Sequence, residues 1–282
     1  MKDYPLTWLY VPGDRPEVVS KALASGADVI VVDLEDAVAP DRKEYARTAT
    51  AERLADPQPV PVHVRINALD CPLADLDLRA LEDLPGVSGL RLPKVTTPKD
   101  VVRVAARTST TATATAEAGP PLHALLETAL GIEHAFAIAT AHPALHGIAL
   151  GEADLRADLG VRGDAGLDWC RSRVVVAARA AGLAPPPQSV HPDTRDLDTL
   201  AASCAHGRAL GFLGRAAIHP RQLPVIERAY LPTPEEIEDA EQIVKAAATD
   251  EGAQALPDGR FIDAAVVAAA RRTLSLADRD RP

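Results

Sequence analysis

The sequence predicts an α/β fold, a TIM (β/α)8 barrel followed by a C-terminal helical extension. Short apolar runs recur along the chain, alanine-rich segments of helical length lie between most of them, and 282 residues suit a single barrel domain. The runs are continuous rather than alternating, which indicates strands buried on both faces of a parallel sheet. An open doubly wound sheet is the alternative, and it is weakened because no GxGxxG motif follows a strand.

Eight strands are predicted, and most of them are separated by a segment that can form a helix. In chain order, the strands are Trp8–Val11, Val29–Leu34, Val60–Ile66, Gly89–Leu92, Leu122–Leu126, Ile148–Leu150, a weaker one around Ser189–Val190, and Phe212–Ile218. The helical segments between them include Pro16–Ala24, Asp41–Leu54, Lys99–Ala106, Thr128–Ala141 and Leu167–Ala181. We therefore expect the barrel to occupy residues 1–230.

The chain beyond the eighth strand, residues 231–282, is expected to form a helical arm. Thr233-Pro234-Glu235-Glu236 is a favourable helix start, and Ala264–Leu276 is a second helical stretch. Earlier in the chain, the tract Thr108–Pro120 has low complexity and no large apolar residues, so a frayed helix end and a loop are expected there.

Composition limits the classes of function. Hydrophobic residues make up 47% of the chain but aromatic residues only 3%, so the core must consist of Ala, Val, Leu and Ile. A net charge of −10 argues against nucleic acid as a partner. The N-terminus has no apolar signal core and no run reaches membrane-spanning length, which argues against secretion and membrane insertion. Cys71, Cys170 and Cys204 lie far apart without ligand spacing, so we expect reduced thiols in a cytoplasmic protein.

Polar side chains recur at the predicted strand ends. In a barrel these ends converge on the C-terminal rim, where barrel active sites lie. Any single residue could merely cap a buried strand, but several facing one mouth need a further reason. The residues are Arg15, Asp33, Glu35, Asp36, Arg65, Asn67, Lys94, Glu127, Glu152, Asp154 and His219.

Glu127 and Asp154 should end neighbouring strands, because one βα unit separates them. Two carboxylates without a nearby Cys or His favour Mg²⁺, which takes one or two carboxylates and leaves its other positions to water and substrate. An oxo or hydroxy acid could chelate through those positions, and Arg65 offers its carboxylate a two-pronged partner. The pattern suggests carbon–carbon bond chemistry through a metal-stabilised enolate or a polarised carbonyl.

Two other residues are weaker candidates for chemistry. Lys94 could form a Schiff base, as lysines do in some barrel aldolases. His219 could act as a general base, although a strand-end histidine more often anchors a loop. Serine hydrolase chemistry is excluded, because the sequence has no GxSxG nucleophile elbow.

Motifs along nearly the whole chain resemble the HpcH/HpaI aldolase/citrate lyase family, and most of all its stand-alone citrate lyase β subunit-like (CoA ester lyase) proteins. In order, the motifs are LYVPGDRP, ASGADVIVVDLEDAVAPDRK, VRIN, LRLPKV, LLETALGI, LGEADLRADLG, GFLGRAAIHPRQL and DGRFID. The resemblance implies a TIM-barrel, Mg²⁺-dependent carbon–carbon lyase, or the reverse synthase. Its substrates would be CoA thioesters of 3-hydroxy acids, such as malyl-CoA, citramalyl-CoA or citryl-CoA.

The resemblance also implies roles for individual residues by motif position. Glu127 and Asp154 match the Mg²⁺ ligands, and Arg65 matches the arginine that holds the oxo-acid carboxylate. Arg15 and Lys21 fall where relatives contact CoA, and Glu35 and Asp36 match an acidic pair near the waters of the metal.

Asp263 matches an acid that relatives supply to the active site of a neighbouring subunit. The resemblance therefore implies a homotrimer or a dimer of trimers, with the C-terminal arm forming part of a shared site. In the condensation direction, Asp263 could remove the methyl proton of acetyl-CoA. The local sequence alone favours a helix N-cap before AAVVAAA.

The chain departs from the family pattern at two places. Gln188 and Ser189 stand where relatives have an aspartate-containing motif, and Arg215 stands where many have lysine. The first departure leaves the oxo acid open among glyoxylate, pyruvate and oxaloacetate. A metal-dependent aldolase for free oxo acids and a non-catalytic subunit remain as alternatives, although an intact set of Glu127, Asp154 and Arg65 argues against the second.

Overall fold

The computed structural model describes residues 4–108, 119–248, 254–255 and 259–278. These residues divide into two compact units, one formed by Tyr4–Ile226 and the other by the described residues from Glu227 onward. Most of the low-complexity tract, residues 109–118, lies outside the described residues. Within the described ranges, no helix is long and apolar enough to cross a membrane.

The first unit contains a curled, parallel sheet that is seven-stranded in the described part of the chain, in the order β6-β5-β4-β3-β2-β1-β7. Its strands are β1 (Thr7–Pro12), β2 (Val29–Asp33), β3 (Val62–Arg65), β4 (Gly89–Leu92), β5 (Leu122–Leu126), β6 (Leu145–Leu150) and β7 (Arg215–Ala217). Every residue of β2 and of β4 is buried, as expected for strands covered on both faces. The predicted fold class is confirmed.

The weak strand predicted around Ser189–Val190 is reduced to one residue, Gln188, which forms an isolated parallel bridge with Arg215 on β7. The three prolines before Gln188 explain this, because proline has no N–H to donate to a strand ladder. On the other side of this segment, the N–H of Glu152 donates to Ser189 Oγ at 3.2 Å. A side chain, rather than a backbone ladder, thus links this part of the wall to the end of β6.

Helices follow most strands of the first unit. They are α1 (Pro16–Ala22), α2 (Lys43–Leu54), α3 (Pro72–Ala80), α4 (Pro98–Thr108), α5 (Ala129–Glu133), α6 (Ala135–Ala139), α7 (Glu152–Leu159), α8 (Asp168–Ala180), α9 (Leu197–Leu210) and α10 (Leu223–Tyr230), the last of which runs into the second unit. Short 3-10 turns occur at Pro40–Arg42, Asp164–Leu167 and Pro220–Gln222. This alternation directs the carboxyl ends of the strands, and the polar residues that follow them, to one end of the unit.

The second unit contains two helices, α11 (Pro234–Ala247) and α12 (Ala264–Ala277), and a small antiparallel pair, β8 (Gln254–Ala255) with β9 (Phe261–Ile262). Thr233 begins α11 with a capping box: its hydroxyl accepts from the N–H of Glu236, whose carboxylate accepts from the N–H of Thr233 at 2.9 Å. A small apolar core is shared by Ala240, Ile243, Ile262 and Ala270.

Candidate active site

A cavity of about 450 Å³ lies at the C-terminal end of the barrel strands. Residues of all seven described strands contribute to its wall, and so does the segment 187–190. The acidic and basic residues that line it are Asp33, Asp36, Arg65, Arg91, Glu127, Glu152 and Asp154. The cavity therefore brings together most of the strand-end residues that the sequence singled out.

Arg65 is held rigidly at the rim by the end of β2. Its Nε and Nη2 donate to the two carboxylate oxygens of Asp33, at 2.7 and 2.5 Å. Its Nη1 lies 3.0 Å from Glu35 Oε2 and 3.3 Å from Asp36 Oδ2. Burial alone would lower the pKa of Arg65, but the bonds to Asp33 and the surrounding negative charges raise it, so the guanidinium stays charged.

Asp33 is a candidate site residue whose positioning role sequence reasoning missed. Besides its two bonds to Arg65, it accepts hydrogen bonds from the N–H groups of Glu35 and Ala37. It thus orients the guanidinium and shapes the turn that carries Glu35 and Asp36. The only sequence signal was its place at a strand end.

Lys94 connects the acidic turn to the opposite wall. Its ammonium donates to Glu35 Oε1 at 2.9 Å, and its backbone N–H donates to Glu127 Oε2 at 3.0 Å. Lys94 has a φ of +52°, a left-handed conformation that is uncommon in non-glycine residues and is often found at functional sites. Burial acts to lower its pKa, but the bond to Glu35 and nearby acidic charges raise it, so Lys94 is not the neutral amine that a Schiff base requires.

Glu127 is almost completely buried, and its carboxylate lies against Gly151 at the end of β6. Burial and the charge of Glu35 raise its pKa to about 8, although Arg65 acts in the opposite direction. Asp154, in the first turn of α7, is close enough for its charge to raise this pKa further. Within the described chain, neither carboxylate forms an ion pair with a Lys or Arg side chain.

These two carboxylates fit a hard divalent cation. A buried carboxylate without a cationic partner is costly, and a metal ion would compensate its charge. No group of three or more His, Cys, Asp or Glu side chains in the described ranges converges on a metal position. Two carboxylates suffice for Mg²⁺, which keeps waters and substrate oxygens as its other ligands.

Glu152 has a different role from its neighbour Asp154. Its carboxylate receives two hydrogen bonds from Arg171 on α8, at 2.9 and 2.7 Å. Arg171 is nearly fully buried and also donates to Asp164 and Asp168. Glu152 therefore links α7 to α8.

The other predicted site residues belong to other elements of the chain. Arg15 is exposed at the start of α1, and Lys21 is exposed in the last turn of that helix. Asp263 belongs to the second unit and caps α12, where its Oδ1 accepts from the N–H groups of Ala265 and Val266, both at 2.9 Å. His219 anchors a loop, since its Nδ1 accepts from the N–H of Arg221.

The residues that depart from the family pattern are joined to each other. Arg215 Nη1 donates to Gln188 Oε1 at 3.2 Å and to Ser203 Oγ at 2.9 Å. Gln188 Nε2 in turn donates to the carbonyl of Ser203 on α9. This network attaches the interrupted seventh segment to β7 and α9.

Two family models match the chain: HpcH/HpaI aldolase/citrate lyase over residues 6–220, and C-C bond lyase of the TIM-barrel fold over residues 180–266. A (3S)-malyl-CoA thioesterase of Cereibacter sphaeroides (strain KD131) is 36% identical, with 96% of this chain and 93% of the relative covered. Citrate lyase subunit beta of Escherichia coli (strain K12) is 34% identical, over 96% and 92% of the two chains.

A solved structure with a high degree of similarity is CitE from Mycobacterium tuberculosis in complex with magnesium, acetoacetate and coenzyme A. Its TM-score is 0.81 at 32% sequence identity, and the match covers 99% of this chain and 100% of the CitE chain.

Proposed function

The chain belongs to the HpcH/HpaI aldolase/citrate lyase family, and from this premise we propose that it is a Mg²⁺-dependent carbon–carbon lyase of the CoA ester type. In this role it cleaves the CoA thioester of a 3-hydroxy acid into acetyl-CoA and an oxo acid, or catalyses the reverse condensation. The observation that carries the proposal is the buried Glu127 carboxylate, which lines one cavity together with Asp154 and Arg65. The magnesium, acetoacetate and coenzyme A bound by the Mycobacterium tuberculosis relative support it.

Glu127 and Asp154 are proposed to hold the metal ion. Mg²⁺ held there would act as a Lewis acid and stabilise negative charge on the hydroxyl or oxo oxygen of the substrate. Glu35 does not compete for this position, because Lys94 and Arg65 engage its carboxylate. Gly151 leaves the space that the Glu127 side chain occupies.

Arg65 is proposed to bind the carboxylate of the oxo acid. Asp33 holds Nε and one N–H of Nη2, so the substrate carboxylate would meet the edge formed by Nη1 and the other N–H of Nη2, where Glu35 Oε2 already lies 3.0 Å from Nη1. Its neighbour Asp36 is exposed and 3.3 Å away, and it can be displaced from Nη1 by an incoming carboxylate. Asp33 would then keep the guanidinium plane fixed while the substrate binds.

The exposed cations Arg15 and Lys21 are proposed to contact the CoA end of the substrate. Asp263 is proposed to act as a base at the active site of a neighbouring subunit, with the arm formed by residues 231–282 packed on that subunit. The protein would accordingly function as a homotrimer or hexamer. The free thiols of its three cysteines are consistent with a cytoplasmic location.

A second candidate is hydrolysis of the thioester, because one of the most similar relatives is a (3S)-malyl-CoA thioesterase. In that reaction water would attack the thioester carbonyl and release CoA and the free hydroxy acid, which leaves the carbon–carbon bond intact. The two reactions give different products from one substrate, so product identity separates them.

The deciding experiment is incubation of the protein and Mg²⁺ with malyl-, citramalyl- and citryl-CoA, with products identified by mass spectrometry. Acetyl-CoA and an oxo acid are expected. Free CoA and an intact hydroxy acid would establish the thioesterase instead. Cleavage of the free hydroxy acids without CoA would favour the aldolase, and an absence of turnover in either direction would refute an enzymatic role on these thioesters.

The metal assignment is tested with Glu127→Gln, which removes the charge and keeps the shape of the side chain. We expect Mg²⁺ affinity to fall at least about tenfold, because one of two charged ligands is lost. Calorimetric titration with Mg²⁺ measures it, and Glu133→Gln, an exposed glutamate on α5, is the control. Unchanged affinity in Glu127→Gln would exclude Glu127 as a ligand.

A further inference from the structure

Arg91 lies inside the barrel, on β4, where branched apolar side chains normally fill the interior. It is only 2% exposed. In the sheet register it stands between Arg65 of β3 and His123 of β5. A charged side chain at this depth requires an explanation, because transferring an ion out of water is costly.

The guanidinium of Arg91 has no carboxylate partner in the described chain. Its Nη1 donates to the Tyr10 hydroxyl over a long 3.4 Å, and its Nε is buried without a hydrogen-bond partner. The rings of Tyr10 and Trp8 lie 5.8 and 5.9 Å from its Cζ. By contrast, the half-buried Arg65 and the buried Arg171 each bind a carboxylate through two hydrogen bonds. Arg91 thus carries a buried positive charge that lacks a counter-ion.

Arg91 belongs to the walls of two cavities. Arg91 lines the C-terminal cavity described above and also a second cavity of about 320 Å³ at the N-terminal end of the strands. The second cavity is also lined by Trp8, His63, His123 and His146. An ion could therefore approach Arg91 from either end of the barrel.

Two imidazoles lie beside Arg91 in the interior. The rings of His63 and His123 are 4.6 Å apart, and His63 Nδ1 is buried without a hydrogen-bond partner. Glycines make room for them, since a Cβ at Gly89 would lie 2.8 Å from the His63 ring and a Cβ at Gly147 2.9 Å from His123 Nδ1. Burial, the neighbouring imidazole and Arg91 lower the pKa of His63, while burial, Arg91 and His146 lower the pKa of His123 to about 3. Both rings are therefore neutral near pH 7, and each has one N–H to donate.

We propose that the barrel interior contains a carboxylate-binding site in which Arg91 supplies the charge and His63 and His123 supply further N–H donors. A carboxylate would provide the missing counter-ion and accept two parallel bonds from the guanidinium. Two sources are possible for this carboxylate. One is a second carboxylate on the oxo-acid part of the substrate, reaching down from the C-terminal cavity, and this source rests on the function proposed above. The other is a small free carboxylate that enters through the N-terminal cavity.

The site is tested by titrating metal-free protein with acetate while recording Trp8 fluorescence. The chain has two tryptophans, so all proteins in this experiment carry Trp169→Phe, which removes the exposed tryptophan and leaves Trp8 as the fluorescent one. We expect a saturable change that Arg91→Met weakens at least about tenfold, because a guanidinium–carboxylate contact is lost. Arg103→Met, which removes an exposed arginine of α4, should leave the response intact. Arg91→Lys, which keeps the charge but loses the planar fork, provides a second variant in case the methionine protein does not fold.

The source of the carboxylate is identified by comparing kcat/KM for two substrates. Citryl-CoA carries a second carboxylate on its oxo-acid part, whereas citramalyl-CoA has a methyl group in place of that carboxymethyl group. If the substrate supplies the carboxylate, Arg91→Met lowers kcat/KM for citryl-CoA at least about tenfold and changes citramalyl-CoA by less than about twofold. If a free carboxylate is bound, the variant loses the acetate response and keeps the ratio of the two substrates. The proposal is overturned if Arg91→Met leaves both the acetate response and this ratio unchanged. The acetate titration requires no turnover, so it remains informative if the lyase function fails.

Discussion

Asp33 limits how Arg65 could bind the proposed substrate carboxylate. It holds Nε and one N–H of Nη2, which leaves the second N–H of Nη2 and Nη1, and Nη1 already lies 3.0 Å from Glu35 Oε2. Glu35 is similarly engaged by Lys94, whose backbone N–H bonds to Glu127. The charged groups at the rim thus form one connected network, and a substitution at one residue is expected to change the position of the next.

At the residue scale, His123 makes a testable contribution to the pH dependence of stability. Its pKa is about 3 in the folded protein and 6.5 for an ordinary histidine. As the pH falls below 6.5, the unfolded chain takes up a proton that the folded chain excludes, so the free energy of unfolding decreases until the pH approaches 3. We expect His123→Asn to reduce the loss of stability between pH 7 and pH 5 by about 1 to 2 kcal/mol.

Urea unfolding of the two proteins at both pH values measures this difference. His142→Asn, a change in the loop before β6, is the control and should retain the full decline. An identical decline in His123→Asn would show that His123 does not remain neutral in the folded interior.

At the element scale, the junction between β6 and α7 shapes the side of the cavity that is proposed to hold the metal ion. Gly151 stands at this junction, and a Cβ there would lie in contact with Glu127 Oε1, closer than any real Cβ contact. We expect Gly151→Ala to displace the carboxylate and lower kcat/KM by about 100-fold, while the protein stays folded. Steady-state kinetics and circular dichroism measure the two effects.

Gly163→Ala is a matched control, because a Cβ at Gly163 meets no atom within 4 Å. It should change activity by less than about twofold. Full activity in Gly151→Ala would mean that the observed position of Glu127 is not the one used in the reaction.

Two substitutions of Asp263, at the N-terminus of α12, can distinguish its role as a helix cap from its proposed role as a base. Its carboxylate caps the helix, and a serine hydroxyl can replace that cap. We expect Asp263→Ser to retain the free energy of unfolding within a few tenths of a kcal/mol and Asp263→Ala to lose about 1 kcal/mol. If Asp263 is also a base, both variants lose activity. A fully active Asp263→Ser would reduce the residue to a helix cap.

The strands were the elements that the sequence predicted best, and the one strand that was predicted but not formed has a local cause. Seven predicted strands coincide with observed ones to within a few residues, because continuous apolar runs between helical segments are typical of strands buried on both faces. The remaining predicted strand, the seventh in chain order around Ser189–Val190, is interrupted by the prolines that precede it. Its residues still reach the wall, but through Gln188, Arg215 and the Ser189 hydroxyl.

At the scale of the whole molecule, a shared active site predicts complementation between inactive variants. Glu127→Gln removes a group from one subunit's own site, and Asp263→Ser removes the group proposed for a neighbour's site. After subunit exchange in an equal mixture, about a quarter of the sites in a closed ring would carry both native groups, so about a quarter of the native activity should return.

Subunit exchange must be verified by native mass spectrometry of isotope-labelled chains. Each variant mixed with itself should stay inactive. A mixture that exchanges subunits but recovers no activity would refute the shared site, and so would a fully active monomer.

The sequence by itself determined the family, the barrel and the set of polar residues at its rim. Apolar periodicity and strand-end position are local properties, so they can be found without coordinates. The tertiary structure alone decided which side chains face one another. Asp33 pairs with Arg65 across 32 residues, and Glu152 turns to Arg171 across 19, although it ends the same strand as Asp154. The sequence placed Arg91 only within a predicted strand. The structure shows that it is buried and lines two cavities. Such pairings depend on side-chain direction and packing between distant segments, and local sequence does not specify either.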